Sequence, residues 1–192
     1  MKTRKISGLT QIRALASPVR QTLVDLIEAS GPISAAELAS LLDCAVDGLY
    51  YHLRILIGTG WIVCRPVAAS NGQEKAVYEI AKRSVRLGYK PQDTRNRRAV
   101  TALVASMFRD SLREFKRAYA GRPVVWGPRR NLWAGRKIAW FTARDLEWIN
   151  ERIGEINRLM ESRRRRKPRA QLISFSWVMS EYGGARRTFK SN

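Results

Sequence analysis

The sequence predicts a mainly α protein with a small β component, and three observations lead there. Apolar residues in the first eighty positions recur at three- and four-residue spacings, in blocks separated by Pro, Gly and Ser, which is the period of short amphipathic helices. Two runs that follow them, residues 61–65 and 76–80, are rich in strand formers and flank a polar Asn-Gly turn. Charge then divides the chain: residues 1–81 hold 8 Lys and Arg against 7 Asp and Glu, whereas residues 82–192 hold 28 against 9. That asymmetry predicts a first module at 8–81, a linker at 82–94 where turn residues replace apolar periodicity, and a second unit at 95–192.

The first module is legible element by element. Leu9, Ile12 and Ala16 mark a short helix, and Val19, Leu23, Leu26 and Ile27 a second, with Pro18 in its first turn where no backbone donor is needed. Gly31-Pro32 stops it. Ser34 then caps a third helix, Glu37 three residues on completes a capping box, and Leu38, Leu41 and Leu42 form the apolar face. After a tight turn at residues 43–45, Leu49, Leu53 and Leu56 mark a fourth helix that ends at Gly58-Thr59-Gly60. The strand-forming runs with their Asn-Gly turn predict a β-hairpin. Three helices, a short turn, a further helix and a hairpin follow the order of a winged helix-turn-helix.

Composition sets aside other classes. With 192 residues, 45% hydrophobic and 27% charged, the chain has globular proportions. A net charge of +20 and a pI near 11.1 favour polyanionic partners, nucleic acid first and anionic membrane second. Two cysteines, Cys44 and Cys64, exclude a disulfide-stapled scaffold, and with the lone His52 they make no metal-ligand spacing, so no metal and no cofactor is expected. No run reaches the roughly 18 apolar residues of a membrane span, and the N-terminus lacks the apolar core of a signal peptide, so the expected location is cytoplasmic. No nucleophile-and-base pair or phosphate-cradling glycine loop stands out, and the chain is not expected to be an enzyme.

The runs ALASPVRQTLVDLI, ISAAELASLLDCAVDGLYYHLRILIGTGWI and KAVYEIA resemble the winged-helix module of ArsR-like bacterial transcription regulators, over about residues 10–81. The resemblance implies a homodimer that binds near-palindromic operators in double-stranded DNA and represses, releasing DNA when an effector binds. Metal-sensing members carry a Cys-Val-Cys type box in the helix that here reads Ala36-Glu37-Leu38-Ala39-Ser40. Its absence points away from metal sensing, and Cys44 reads as a small apolar filler.

At 100° per residue, with Leu49 inward, Asp47, Tyr50, Tyr51 and Arg54 fall about 100° to 200° away, on the face that meets the major groove, and Gly48 accompanies them in the helix's first turn. Asp47 suits cytosine N4, the tyrosines phosphate or a thymine methyl, and Arg54 guanine or phosphate. His52, about 60° from inward, reads as a packed, hydrogen-bonded edge residue, with phosphate contact as the alternative. Ser34 opens a helix whose N-terminus suits a phosphate and also caps it, and both roles can hold. Arg65, Asn71, Gln73 and Lys75 line the hairpin, within reach of a minor groove. Because this module is nearly neutral, phosphate neutralisation falls to Lys2, Arg4, Lys5, Arg13 and Arg20 or to the second half.

In the second half, residues 95–120 predict a long amphipathic helix with Val100, Leu103, Met107, Phe108, Leu112, Phe115 and Tyr119 on one face, suited to dimerisation or to an intramolecular core. A loop at 121–135, a strand at 137–141, a helix capped by Thr142 and Asp145, and a strand at 171–179 predict a basic α+β dimerisation or sensing unit. Trp126, Trp133, Trp140, Trp148 and Trp177 are candidates for a small-molecule effector pocket or for core. The run Arg163–Lys167 suits phosphates or a solvated linker. The leading expectation is a dimeric DNA-binding repressor without metal sensing; the alternative is an RNA-binding or nucleoprotein assembly factor that uses the basic C-terminal half.

Overall fold

The computed structural model describes residues 4–6, 8–68, 74–81, 85–121, 123–163 and 170–182, with 4–6 and 85–87 as backbone only. The elements run β1 (Arg4–Ile6), α1 (Leu9–Leu15), α2 (Pro18–Ser30), α3 (Ala35–Leu42), α4 (Asp47–Gly58), β2 (Ile62–Ala68), β3 (Glu74–Ile80), β4 (Val85–Leu87), α5 (Thr94–Gly121) and α6 (Ala143–Ser162). The chain divides into two compact units, Met1–Asp110 with Leu159–Ala170 and Ser111–Arg158 with Gln171–Asn192.

In the first unit the expected winged helix-turn-helix is present. Pro18 occupies the start of α2, and Gly31, at φ 78°, ends that helix with its N–H on the Ile27 carbonyl at 3.1 Å. The α3–α4 turn is equally short because Asp43 adopts φ 52°, a left-handed conformation that a short polar side chain tolerates. Ile12, Leu23, Ile27, Leu38, Leu53 and Leu56 are almost wholly buried and come from all four helices, so one core fixes their mutual orientation. Val19 and Leu41, expected on the apolar faces, are instead exposed, whereas Leu23 and Leu38 of the same helices are fully buried.

β2 and β3 form the wing, antiparallel, with Cys64 opposite Tyr78. Two pairings were not foreseen. Ile33, just before α3, exchanges both backbone hydrogen bonds with Tyr78 at 3.1 and 2.8 Å, so the wing is tied to the start of α3. Within the expected linker, β4 pairs in parallel with β1. Three-residue strands carry too little pattern to be read from sequence.

The first part of α5 belongs with this core, through buried Ala99 and Leu103. The buried Asn96 anchors it: Oδ1 accepts the Lys90 N–H at 2.8 Å and Nδ2 donates to the Gly88 carbonyl at 3.2 Å.

The second unit keeps its helices but not its strands. Helix α6 starts on the expected box, with the Thr142 N–H on Asp145 Oδ2 at 2.8 Å and the Asp145 N–H on Thr142 Oγ1 at 3.3 Å. The strands expected at 137–141 and 171–179 are not formed, and those residues carry no regular secondary structure. Strand formers favour an extended backbone, and a strand also needs a neighbour to take its hydrogen bonds. The tryptophans expected to enclose an effector are not enclosed, running from 37% exposed at Trp177 to 91% at Trp140. Of the basic run, only Arg163 lies among the described residues.

Candidate nucleic-acid interface

The reading helix, α4, is held from beneath and from behind. Leu49, Leu53 and Leu56 are buried in one stripe, which fixes its rotation about its own axis. Its C-terminal end is locked by a chain of polar contacts. Gln11 Nε2 donates to the Thr59 carbonyl at 3.0 Å, the buried Trp61 donates from Nε1 to the Gln11 carbonyl at 3.0 Å, and Thr59 Oγ1 donates to the Ile55 carbonyl at 2.8 Å. Gln11 therefore joins α1 to the far end of α4. Its place in the chain, on the polar side of a short helix, carries no sequence signal for that role.

The opposite side of α4 presents Asp47, Gly48, Tyr50, Tyr51 and Arg54 together, all exposed, as the 100° rotation predicts. Arg54 makes no ion pair or hydrogen bond among the described residues, so its five donors are available for a guanine edge or a phosphate. A Cβ on Gly48 would meet no atom within 4 Å. Nothing in the chain therefore requires glycine there, although glycine inside a helix costs about 1 kcal/mol relative to alanine.

His52 lies at the edge of this surface, half-buried. Its ring packs edge-on against Tyr51 at 5.3 Å, and Nδ1 is buried without a hydrogen-bond partner. Burial, with the Arg20 charge adding, lowers its pKa below the usual 6.5, so the ring is neutral at pH 7. The hydrogen bond expected of a packed edge residue is not made at Nδ1.

Ser34 is buried and fully used. Its Oγ accepts the Glu37 N–H at 3.2 Å and donates to Glu37 Oε2 at 2.5 Å, and its N–H donates to the same oxygen at 2.8 Å. The carboxylate of Glu37 thus takes the Ser34 N–H and hydroxyl at the start of α3, which is the capping role. Those hydrogen bonds from Ser34, side chain first and backbone second, together with Lys75, pull the Glu37 pKa down from 4.5 to about 2. The Ser-x-x-Glu spacing signalled the capping box, and a box closed by Glu leaves the helix terminus already neutralised.

The wing cations are likewise engaged. Lys75 Nζ lies 3.2 Å from Glu37 Oε2, and Arg65 pairs across the hairpin with Glu79. Both remain exposed, so the pairs are weak and exchangeable, each worth about 0–1 kcal/mol. Asn71 and Gln73, at the tip, lie outside the described residues, as does Lys2, while Arg4 and Lys5 enter as backbone only. Cys44, expected to be packed, is exposed, as is Cys64. The left-handed Asp43 turns the chain outward there, and Leu42 and Val46 pack against the core in its place.

Comparison with known proteins agrees with this geometry. Residues 15–62 match a helix-turn-helix domain family, a stretch that runs from the end of α1 through α4 to the first residue of the wing. No curated protein matches the chain. Among the described residues no helix is long and apolar enough to cross a membrane. The first unit therefore carries a winged helix-turn-helix, a DNA-binding module of transcription regulation.

Proposed function

We propose that the chain is a cytoplasmic, sequence-specific transcription regulator of the ArsR-like type, acting as a dimeric repressor on double-stranded DNA. The observation that carries the reading is the outward face of α4. Asp47, Tyr50, Tyr51 and Arg54, the last with no ion pair among the described residues, are exposed around Gly48 on a helix held by three buried leucines. In such a module the first turns of the second helix enter the major groove, and a dimer sets two such helices about 34 Å apart on successive turns.

Metal sensing forms no part of the reading, since the third helix holds no cysteine where metal-sensing relatives carry their box. Release would instead follow an effector acting on the second unit. The near-neutral charge of residues 1–81 and the engaged wing cations leave affinity dependent on the basic residues 82–192.

The test is binding to duplex DNA from the region upstream of the protein's own gene, against a scrambled duplex of equal length, across a salt series. The expected result is a preference of ~10³ or more for the upstream duplex, with both affinities falling steeply as salt rises. Equal binding to both duplexes at every salt concentration would overturn the operator reading.

A further inference from the structure

The second unit contains a charged and aromatic surface that duplex reading by α4 does not use. Between Glu114 and Asp145 there is no carboxylate and there are eight Lys or Arg residues. Inside that stretch a short pattern occurs twice, seven residues apart: Trp126-Gly-Pro-Arg-Arg and Trp133-Ala-Gly-Arg-Lys. Each indole is followed at three and four residues by two cations.

The structure holds the first repeat and the second ring in one built loop. The Arg130 guanidinium carbon lies 5.2 Å from the centre of the Trp126 ring and 4.4 Å from that of Trp133, so one cation serves both rings. Asn131 clamps the loop, with Oδ1 accepting the Val125 N–H at 2.9 Å and Nδ2 donating to the Pro123 carbonyl at 3.1 Å. A 3₁₀ turn at Gly127–Arg129 closes on the Gly127 carbonyl, and Gly127 takes φ 78° to make it. Despite this ordering, Trp126 and Trp133 remain 74% and 75% exposed, while Arg129, Arg136 and Lys137 are exposed beside them.

We propose that this loop is a second nucleic-acid site, one that binds single strands. Unpaired bases stack on the open faces of Trp126 and Trp133, and the flanking phosphates pair with Arg129, Arg136 and Lys137. Flat rings held in place by a cation, alternating with free cations, match a polymer in which bases alternate with phosphates. A membrane surface would call for apolar residues grouped apart from the cations, and here the two interleave. The site is independent of the operator reading and requires no unpaired bases at α4.

The experiment measures anisotropy of a fluorescein-labelled dodecamer of thymidylate with the full chain. The expected result is salt-dependent binding that Trp126→Ala with Trp133→Ala weakens by about tenfold or more. Trp126→Phe with Trp133→Phe, which keeps flat rings, restores much of it. An abasic dodecamer with the same phosphates binds more weakly and is indifferent to the alanine pair. Binding to the upstream duplex, measured on the same variants, stays as in the parent, which separates failure of this site from failure of the operator reading. Thymidylate binding unchanged by the alanine pair would overturn the proposal. So would association with phosphatidylglycerol vesicles but not with thymidylate, or a dimer in which acrylamide no longer quenches these indoles.

Discussion

Helices α4 and α6 are both amphipathic and both start where the sequence says they should, yet their apolar faces meet different fates. All three leucines of the α4 stripe are buried, whereas no residue of the longer α6 is, although Leu146, Ile149, Ile153 and Ile156 repeat at helical spacing. The contrast extends to the units. Every buried hydrophobic side chain among the described residues lies between Ile12 and Leu103, and none lies in the second unit. Periodicity specifies which face of a helix wants cover, and it does not specify what supplies the cover.

The largest expected effect tests that contrast directly. Leu53→Ala removes a fully buried side chain and is expected to cost about 2–5 kcal/mol in urea unfolding. Ile153→Ala, on α6, where side chains are at most half-buried, is expected to cost less, under about 1 kcal/mol. A loss above ~2 kcal/mol for Ile153→Ala would mean that an assembly covers α6, and the effect should then depend on protein concentration.

Next in size, Arg54→Ala is expected to weaken binding to the upstream duplex by about 1–3 kcal/mol while leaving the unfolding midpoint in place. An unchanged affinity would remove Arg54 from the reading set. Ser34→Ala removes the capping hydroxyl and is expected to cost about 0.5–2 kcal/mol of stability. It should also let the Glu37 carboxyl titrate closer to its ordinary value, which an NMR titration reads.

The same carboxyl gives a pH prediction with a definite sign. Its folded pKa, about 2, lies below the unfolded 4.5, so its contribution is fully present above about pH 4.5 and is lost as pH falls toward 2. Glu37→Gln should flatten that part of the acid-unfolding curve. The smallest effect is the most diagnostic of the interface. Gly48→Ala should raise stability by about 0.5–1 kcal/mol through helix propensity and still weaken duplex binding. Unchanged duplex binding would show that nothing approaches the backbone there.

Much of the first unit was legible in the sequence because its signals are local. Ser34 with Glu37, Pro18, the glycines after α2 and α4, and the leucine spacing of α4 each act within a few residues, through capping, φ restriction or helical rotation. The outward set on α4 followed from the same rotation. What escaped were contacts between distant residues: Gln11 with Thr59, Lys75 with Glu37, Ile33 with Tyr78, and β1 with β4. Each joins residues tens of positions apart, where spacing carries no information.

By itself, then, the sequence determined the helices, their caps, the hairpin and the charge division, because these depend on neighbours along the chain. Only the tertiary structure decided that the wing cations are paired. It alone shows Cys44 exposed and the residues at 137–141 and 171–179 without a strand. Each of these depends on which other side chain or backbone arrives in space, and an ion pair or a strand exists only when its second half does.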